Sequence, residues 1–184
     1  MTRTHEILSA AERLLAAHGP QGLTMRQLAQ EIGVKAPSLY KHFPDKAAIE
    51  AALQERALRG QAEALAQATP GLAGLASAYR AWALTHPHLY GLLSRQHLHR
   101  DRLPAGVEDA AAAPLLREAG GDLDRARALW GMAHGLVELE LAGRFPEGTD
   151  IEAAWRAGLA GFDRPRREGF RTSQASNPPL PRRE

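Results

Sequence analysis

Residues 23–46 read LTMRQLAQEIGVKAPSLYKHFPDK, and this stretch decides the fold. Thr24, followed three residues later by Gln27, forms a capping box, which predicts the start of a helix. Gly33 is expected to end that helix, because glycine readily adopts the left-handed conformation found at many helix C-termini. A second, short helix is predicted to begin at Ala36–Pro37, where the missing N–H of proline would be unpaired in any case.

The two short helices share a set of apolar residues that would hold the helices at a steep angle to each other. Its members are Ala29, Ile32, Val34, Leu39 and Phe43. Helix, tight turn and short helix are the plan of a helix-turn-helix, spanning about residues 24–43. The residues outside this apolar set are polar, aromatic or basic, which suits contact with a DNA backbone and major groove.

The composition points to helices throughout the chain. Of its 184 residues, 44% are hydrophobic and only 5% are aromatic, with Ala and Leu abundant and β-branched residues sparse. We therefore expect an all-α fold of about nine helices. The predicted helix ranges are 3–17, 24–33, 36–43, 46–67, 72–85, 87–99, 106–119, 122–143 and 150–162.

A breaker at Thr69–Gly71 predicts a domain boundary near residue 70. We expect a DNA-binding head over residues 1–60 and a body over residues 70–164. Residues 165–184 are rich in Arg, Pro and Ser with few apolar side chains, which predicts a disordered basic tail. Such a tail could add DNA affinity by neutralising phosphates, or could be a solvated terminus only.

Charge and missing features exclude several classes of protein. The formal charge is +2 over residues 1–60, −4 over 61–163 and +4 over 164–184, which suggests different partners for each part. Without cysteine there is no disulfide framework. We see no signal peptide and no transmembrane stretch, and expect a cytoplasmic protein without membrane contact. No phosphate loop or Ser–His–acid set stands out, so we expect no enzyme.

The head resembles the DNA-binding domain of TetR-family transcriptional regulators, through the runs ILSAAERLLAAHGPQGLT and LTMRQLAQEIGVKAPSLYKHFPDKAAI. The matching residues are Thr24, Leu28, Ala29, Gly33, Val34, Leu39, Tyr40, His42, Phe43 and Lys46. The body resembles the C-terminal type named for a Trp-His-Gly pattern, here Trp130, His134 and Gly135. The resemblance implies an all-α homodimer, with a three-helix DNA-binding head and a helical-bundle body that binds a ligand and dimerises.

The resemblance also implies a role for each residue of the head. Those expected to meet base edges at the leading end of the recognition helix are Lys35, Ala36, Pro37 and Ser38. Those expected to contact phosphates are Thr24, Tyr40, His42 and Lys46. Arg26 would project toward the groove, and Lys41 could serve either purpose. Ala36 can offer only apolar contact, for example to a thymine methyl group.

The family implies a ligand-responsive repressor on a palindromic operator in double-stranded DNA. Two recognition helices would lie about 34 Å apart, and an unknown small molecule in the body would shift the population away from that spacing. The alternatives are an enzyme, or an architectural or ligand-independent DNA-binding protein with the same head. A cavity in the body would favour the ligand-responsive form. From helical position, its candidate lining is Leu84, Leu89, Leu92, Trp130, His134 and Trp155.

Histidines and glycines of the body leave narrower questions. Among His86, His88, His97 and His99 no pair has the i, i+4 spacing of metal ligands, so we expect no metal and no cofactor. His134 could be a satisfied interior histidine or a polar contact in a ligand pocket. Gly131 and Gly135, one helical turn apart, could mark a dimer seam or a tight core.

Overall fold

The structure is a computed structural model that describes residues 2–162. Within that range every regular element is helical, which confirms the all-α prediction. The elements are α1 (Arg3–Gly22), α2 (Met25–Glu31), α3 (Ala36–Tyr40), α4 (Lys46–Ala66), α5 (Leu72–Thr85), α6 (Pro87–Ser94), a 3₁₀ helix (Arg100–Arg102), α7 (Val107–Glu118), α8 (Leu123–Leu141) and α9 (Ile151–Ala160). The predicted basic tail lies outside the described residues.

The helix predicted over residues 87–99 was wrong beyond Ser94, where α6 ends. The cause is Gln54 on α4, whose side chain is fully buried. Its Nε2 donates to the carbonyl oxygens of Leu92 (3.4 Å) and His97 (2.8 Å), and its Oε1 accepts from the N–H of His99 (3.0 Å). These bonds satisfy backbone groups that a continued helix would pair internally.

Helices α1, α2 and α3 pack around one apolar core in the head. Its buried side chains are Ile7, Ala10, Ala11, Leu14, Leu15, Leu28, Ala29, Leu39 and Phe43. The same core continues into the body as far as Tyr90 and Trp155. Helix α4 runs through both parts and is joined to α1 by the Arg56–Glu12 ion pair of 2.9 Å. Head and body therefore form one continuous packed unit.

Arg80 on α5 ties together three helices of the body. Its guanidinium donates to both carboxylate oxygens of Glu140 on α8, each at 2.8 Å, and also to Glu152 on α9. The hydrogen bonds to Glu140 raise the pKa of Arg80 above its ordinary value. The bidentate geometry fixes the orientation of α8 against α5.

Candidate nucleic-acid interface and effector cavity

Helix α2 begins and ends through local hydrogen bonds that its sequence predicts. The Thr24 Oγ1 accepts from the N–H of Gln27 at 3.2 Å, which caps the first turn. Gly33 has a φ of +67° and donates to the carbonyl of Gln30 (3.1 Å), while Val34 donates to Ala29 (2.9 Å). This pair of bonds is a Schellman motif, and it sets the direction of the turn into α3.

Helix α3 is a single short segment held from one side. Pro37 lies in its first turn, and Leu39 is 1% exposed. The carbonyl of Leu39 accepts from the N–H groups of His42 (2.8 Å) and Phe43 (2.9 Å), and Phe43 is buried as well. With one side anchored in the core, the remaining sides of α3 face solvent.

The predicted DNA-contacting residues lie mostly on this open surface. Those that are exposed are Thr24, Arg26, Lys35, Pro37, Ser38, Tyr40, Lys41 and His42. Ala36 and Lys46 are half-buried. The large hydrophobic side chain of Tyr40 is 51% exposed, which is unusual for an aromatic residue in a packed head.

The charge of this surface is positive. Within residues 2–162, Arg26, Lys35 and Lys41 form no ion pair, whereas the nearby acids are neutralised by arginines. Glu31 lies 3.2 Å from Arg13, and Asp45 lies 2.7 Å from Arg102. The surface around α3 therefore presents uncompensated cations, which a phosphate backbone would attract.

Two predicted phosphate contacts are engaged within the protein. The Thr24 hydroxyl donates to Gln27 Oε1 at 2.7 Å, so its proton is already used in the helix cap. Lys46 Nζ donates to the carbonyl of Pro20 at 3.0 Å and lies 3.3 Å from Glu50. Lys46 thereby joins the start of α4 to the end of α1, a structural role that its position in the sequence did not reveal.

A cavity of about 640 Å³ lies in the body, lined mainly by α4 to α8. This volume is typical of small-molecule sites. The predicted pocket residues that line it are Trp130 and His134. Those that lie outside its wall are Leu84, Leu89, Leu92 and Trp155. Helical position did not distinguish the two groups, because Leu89, Leu92 and Trp155 are buried in the same core as residues that do line the cavity.

A chain of polar groups lies on the cavity wall. The hydroxyls of Tyr79 and Tyr90 are 3.1 Å apart, and the Tyr90 hydroxyl lies 2.6 Å from His134 Nδ1. Burial raises the pKa of both tyrosines above their ordinary value of 10.0. Neither tyrosine was predicted from sequence. One general signal was available: a buried tyrosine hydroxyl usually requires a hydrogen-bond partner. For Tyr90, His134 is such a partner.

The segment after α6, residues 95–102, joins the cavity to the head. His97, Leu98 and Arg100 line the cavity. Arg102 donates to both carboxylate oxygens of Asp45, which is the N-cap of α4. The hydrogen bonds from Arg102 and from the N–H of Ala48 hold the pKa of Asp45 below its ordinary value of 3.8.

Two further contacts strengthen this junction. His99 Nε2 lies 3.5 Å from Glu50 on α4, and the backbone of His97 and His99 binds Gln54. Sequence reasoning missed the junction. One signal was present: Gln54 falls between Ala51 and Leu58 at helical spacing, a polar residue within the buried side of α4.

The remaining histidines lie apart from one another or at helix ends. Nδ1 of His86 lies 3.0 Å from the carbonyl of Trp82, while His88 is exposed. Across residues 2–162, no group of three or more His, Cys, Asp or Glu residues is placed to hold a metal ion. Over the same residues, no helix combines the length and apolar character needed to span a bilayer.

Comparison with known proteins identifies the family. Residues 7–53 match the model of bacterial regulatory proteins of the tetR family, and residues 72–162 match the tetracyclin repressor-like C-terminal domain. The chain belongs to the TetR family. It is a TetR-family transcriptional regulator with a helix-turn-helix DNA-binding domain, and members of this family are regulators rather than enzymes.

Individual relatives agree with the TetR assignment. The chain is 30% identical over 151 residues to the HTH-type transcriptional regulator Rv0681 of Mycobacterium tuberculosis, covering 74% of this chain and 69% of that protein. It is 46% identical over 52 residues to the class A tetracycline repressor from transposon 1721 of Escherichia coli, covering 28% and 24% of the two chains. The structure of SCO4313 matches with a TM-score of 0.74 at 28% identity, covering 86% of this chain and 94% of that one.

Proposed function

We propose that this TetR-family protein is a homodimeric, ligand-responsive repressor that binds a palindromic operator. The observation that carries the proposal is α3, a short helix anchored by Leu39 and open elsewhere, with unpaired cations around it. A helix of this kind can enter the major groove while the flanking cations neutralise phosphates. Because its target is DNA, the protein would act in the cytoplasm.

Each part of the open surface has a role in this proposal. Ser38 and Lys35, at the leading end of α3, meet base edges together with Pro37, and Ala36 offers an apolar contact. Tyr40 and His42 donate to phosphates. The residues that supply charge are Arg26 and Lys41. Thr24 and Lys46 contribute chiefly by stabilising the helix-turn-helix. To contact a phosphate, each side chain would have to give up its present hydrogen bond within the protein.

The homodimer is supported by one face of α8. A stripe at helical spacing combines small residues with one exposed leucine: Ala128, Gly131, Gly135, Leu139 and Ala142. Apart from the adjacent residues and the nearby backbone of α8 itself, no heavy atom lies within 4 Å of a Cβ built on Gly131 or Gly135, so the space beside them is open in one chain. A second α8 could pack closely there.

We further assign the body, over residues 70–164, to the Trp-His-Gly type, with the rings of Trp130 and His134 6.1 Å apart at the cavity.

Ligand response is supported by the connection between the cavity and the head. Residues 96–98 line the cavity, and the backbone of the same segment holds Gln54 of α4. Farther along the same segment, Arg102 binds Asp45 at the start of α4, so a molecule that moves this segment would also move the start of α4, which follows α3. The cavity favours this function over a ligand-independent regulator, whose body would need no such space.

Selection from a random duplex DNA library tests the proposal. We expect purified protein to enrich a two-fold symmetric motif whose half-sites lie about one helical turn apart. Sedimentation of the complex should then give two chains per duplex. Enrichment of no motif above salt-sensitive background would contradict sequence-specific binding. A motif without symmetry, bound by one chain, would contradict the homodimer but not sequence-specific DNA binding.

A further inference from the structure

The cavity wall is apolar inside and charged only at its rim. Its buried and half-buried apolar residues include Leu65, Leu75, Leu93, Leu115 and Leu129. The charged residues on the wall are Arg100, Glu108, Asp109 and Arg127. Arg100 pairs with Glu108 at 3.1 Å and Arg127 with Asp124 at 3.1 Å, and both arginines are about two-thirds exposed. The interior therefore offers no buried counter-charge for an ionised ligand.

The polar groups of the interior are hydrogen-bonding rather than ionic. The other half-buried, uncharged polar side chains on the wall are Gln61 and Ser94, and the Ser94 hydroxyl donates to Glu138 at 3.0 Å. Arg95 neutralises Glu138 at 2.6 Å. An ionised group buried without a partner is costly, so a neutral ligand fits this interior better than a carboxylate or an amine.

The Tyr79–Tyr90–His134 chain has one hydrogen-bond donor to spare. With a neutral imidazole, the chain contains three donor protons, two on hydroxyls and one on a ring nitrogen. Its two internal hydrogen bonds use two of these protons, whichever direction the chain runs. One donor is always left, and when Tyr90 donates to His134 Nδ1 that donor is the Nε2–H. Since His134 and both tyrosines line the cavity, an acceptor atom of a ligand can take this proton.

We propose that the cavity binds a neutral, mainly apolar small molecule whose carbonyl or similar acceptor oxygen is held by the Tyr79–Tyr90–His134 chain. This inference rests on the proposed function, because it specifies the effector to which the repressor responds. The apolar walls would supply most of the affinity through burial. The hydrogen bond would select molecules that place an acceptor near His134.

Two fluorescent probes of similar size and different charge provide the test. One is the neutral ketone propionyl-dimethylamino-naphthalene, and the other is the anion anilinonaphthalene sulfonate. We expect the ketone to bind with one site per chain and more tightly than the sulfonate. Equal affinities, tighter binding of the sulfonate, or no binding of either probe would overturn the proposal.

Variants then test the hydrogen bond. His134→Leu keeps an apolar wall but removes the donor, and should weaken ketone binding by about three- to tenfold, the effect of one hydrogen bond. His134→Gln retains an N–H donor and should keep most of the affinity. His88→Leu, at an exposed position outside the wall, is the matched control. Thermal unfolding of each variant verifies folding, and unchanged ketone affinity in folded His134→Leu would overturn the proposal.

A separate measurement distinguishes this inference from the proposed function. Operator binding is followed by anisotropy in the presence of saturating ketone. Ketone binding that depends on His134 and also releases DNA supports both. Binding that depends on His134 without DNA release supports this ligand class but contradicts ligand-responsive repression. Specific operator binding by a protein that takes up neither probe overturns the ligand class and leaves the DNA-binding role intact.

Discussion

Arg102 donates hydrogen bonds of 2.7 and 3.1 Å to the two carboxylate oxygens of Asp45. Arg102 belongs to the body, in the 3₁₀ helix, whereas Asp45 caps α4 two residues after Phe43 anchors the end of α3. The pair therefore joins the cavity-lining segment to the start of α4, which follows α3 in the chain. Both side chains are partly exposed, so the pair acts by geometry more than by its contribution to stability.

Removing this contact should loosen α3 and the start of α4 without unfolding the protein. In Arg102→Ala, we expect faster amide hydrogen exchange in α3 and the first turn of α4, and operator affinity lower by a few-fold. Arg156→Ala is the matched control, since it removes another exposed arginine–aspartate pair, at 3.2 Å, in α9. Unchanged exchange in α3 would show that Arg102 does not position the head.

The same pair predicts a pH dependence. The pKa of Asp45 is lowered in the folded protein, so its contribution to stability is present above 3.8 and is lost as pH falls through the lower folded value. An NMR titration of the carboxyl carbon should give a pKa below 3.8. In Arg102→Ala the pKa should rise but remain somewhat low, because Ala48 still donates to Asp45 at 2.7 Å. An identical pKa in both proteins would contradict the assigned cause.

Gln54→Leu should destabilise the whole chain. The substitution leaves the carbonyl groups of Leu92 and His97 and the N–H of His99 without their present partner. We expect the free energy of unfolding to fall by about 2 kcal/mol or more, since each buried unsatisfied group costs about 1–3 kcal/mol. Gln61→Leu, half-buried on the same helix, should have a much smaller effect in urea unfolding. Equal effects in the two variants would contradict a special role for Gln54.

Tyr40→Phe should weaken DNA binding across all sequences. Tyr40 is the last residue of α3 and is 51% exposed, and the substitution removes only a hydroxyl. Loss of one phosphate hydrogen bond corresponds to about 0.5–1.5 kcal/mol, a reduction in affinity of a few-fold. The salt dependence should stay the same, whereas Lys41→Ala should reduce the salt slope by about one. If Tyr40→Phe binds DNA as tightly as the parent protein, the Tyr40 hydroxyl does not bind a phosphate.

The sequence predicted those features that local chemistry decides. Thr24, Gly33 and Pro37 each act within a few residues of their position, and α2, the turn and α3 follow from them. The early end of α6 was not predictable in this way, because it depends on Gln54, about forty residues earlier in the chain. Propensity gives way to such tertiary contacts.

The cavity shows the same limit from the opposite direction. Helical spacing predicts which side chains face inward, but not which of them pack against other side chains and which border a cavity. Leu92, Trp155, Tyr79 and Tyr90 are all buried in the same core, yet only the two tyrosines border the cavity. Only the arrangement of several helices separates these cases, so two of the predicted pocket residues line the cavity and the tyrosines were not foreseen.

The assignment of α3 as the base-reading helix is tested most directly through Ser38. Wild-type protein and Ser38→Ala are titrated against the selected operator and against each of its single base-pair variants. We expect Ser38→Ala to lose discrimination at one or two base pairs in each half-site, symmetrically, and to retain it elsewhere. Discrimination that is identical to the parent at every position, in a folded variant, would contradict the placement of α3 in the major groove.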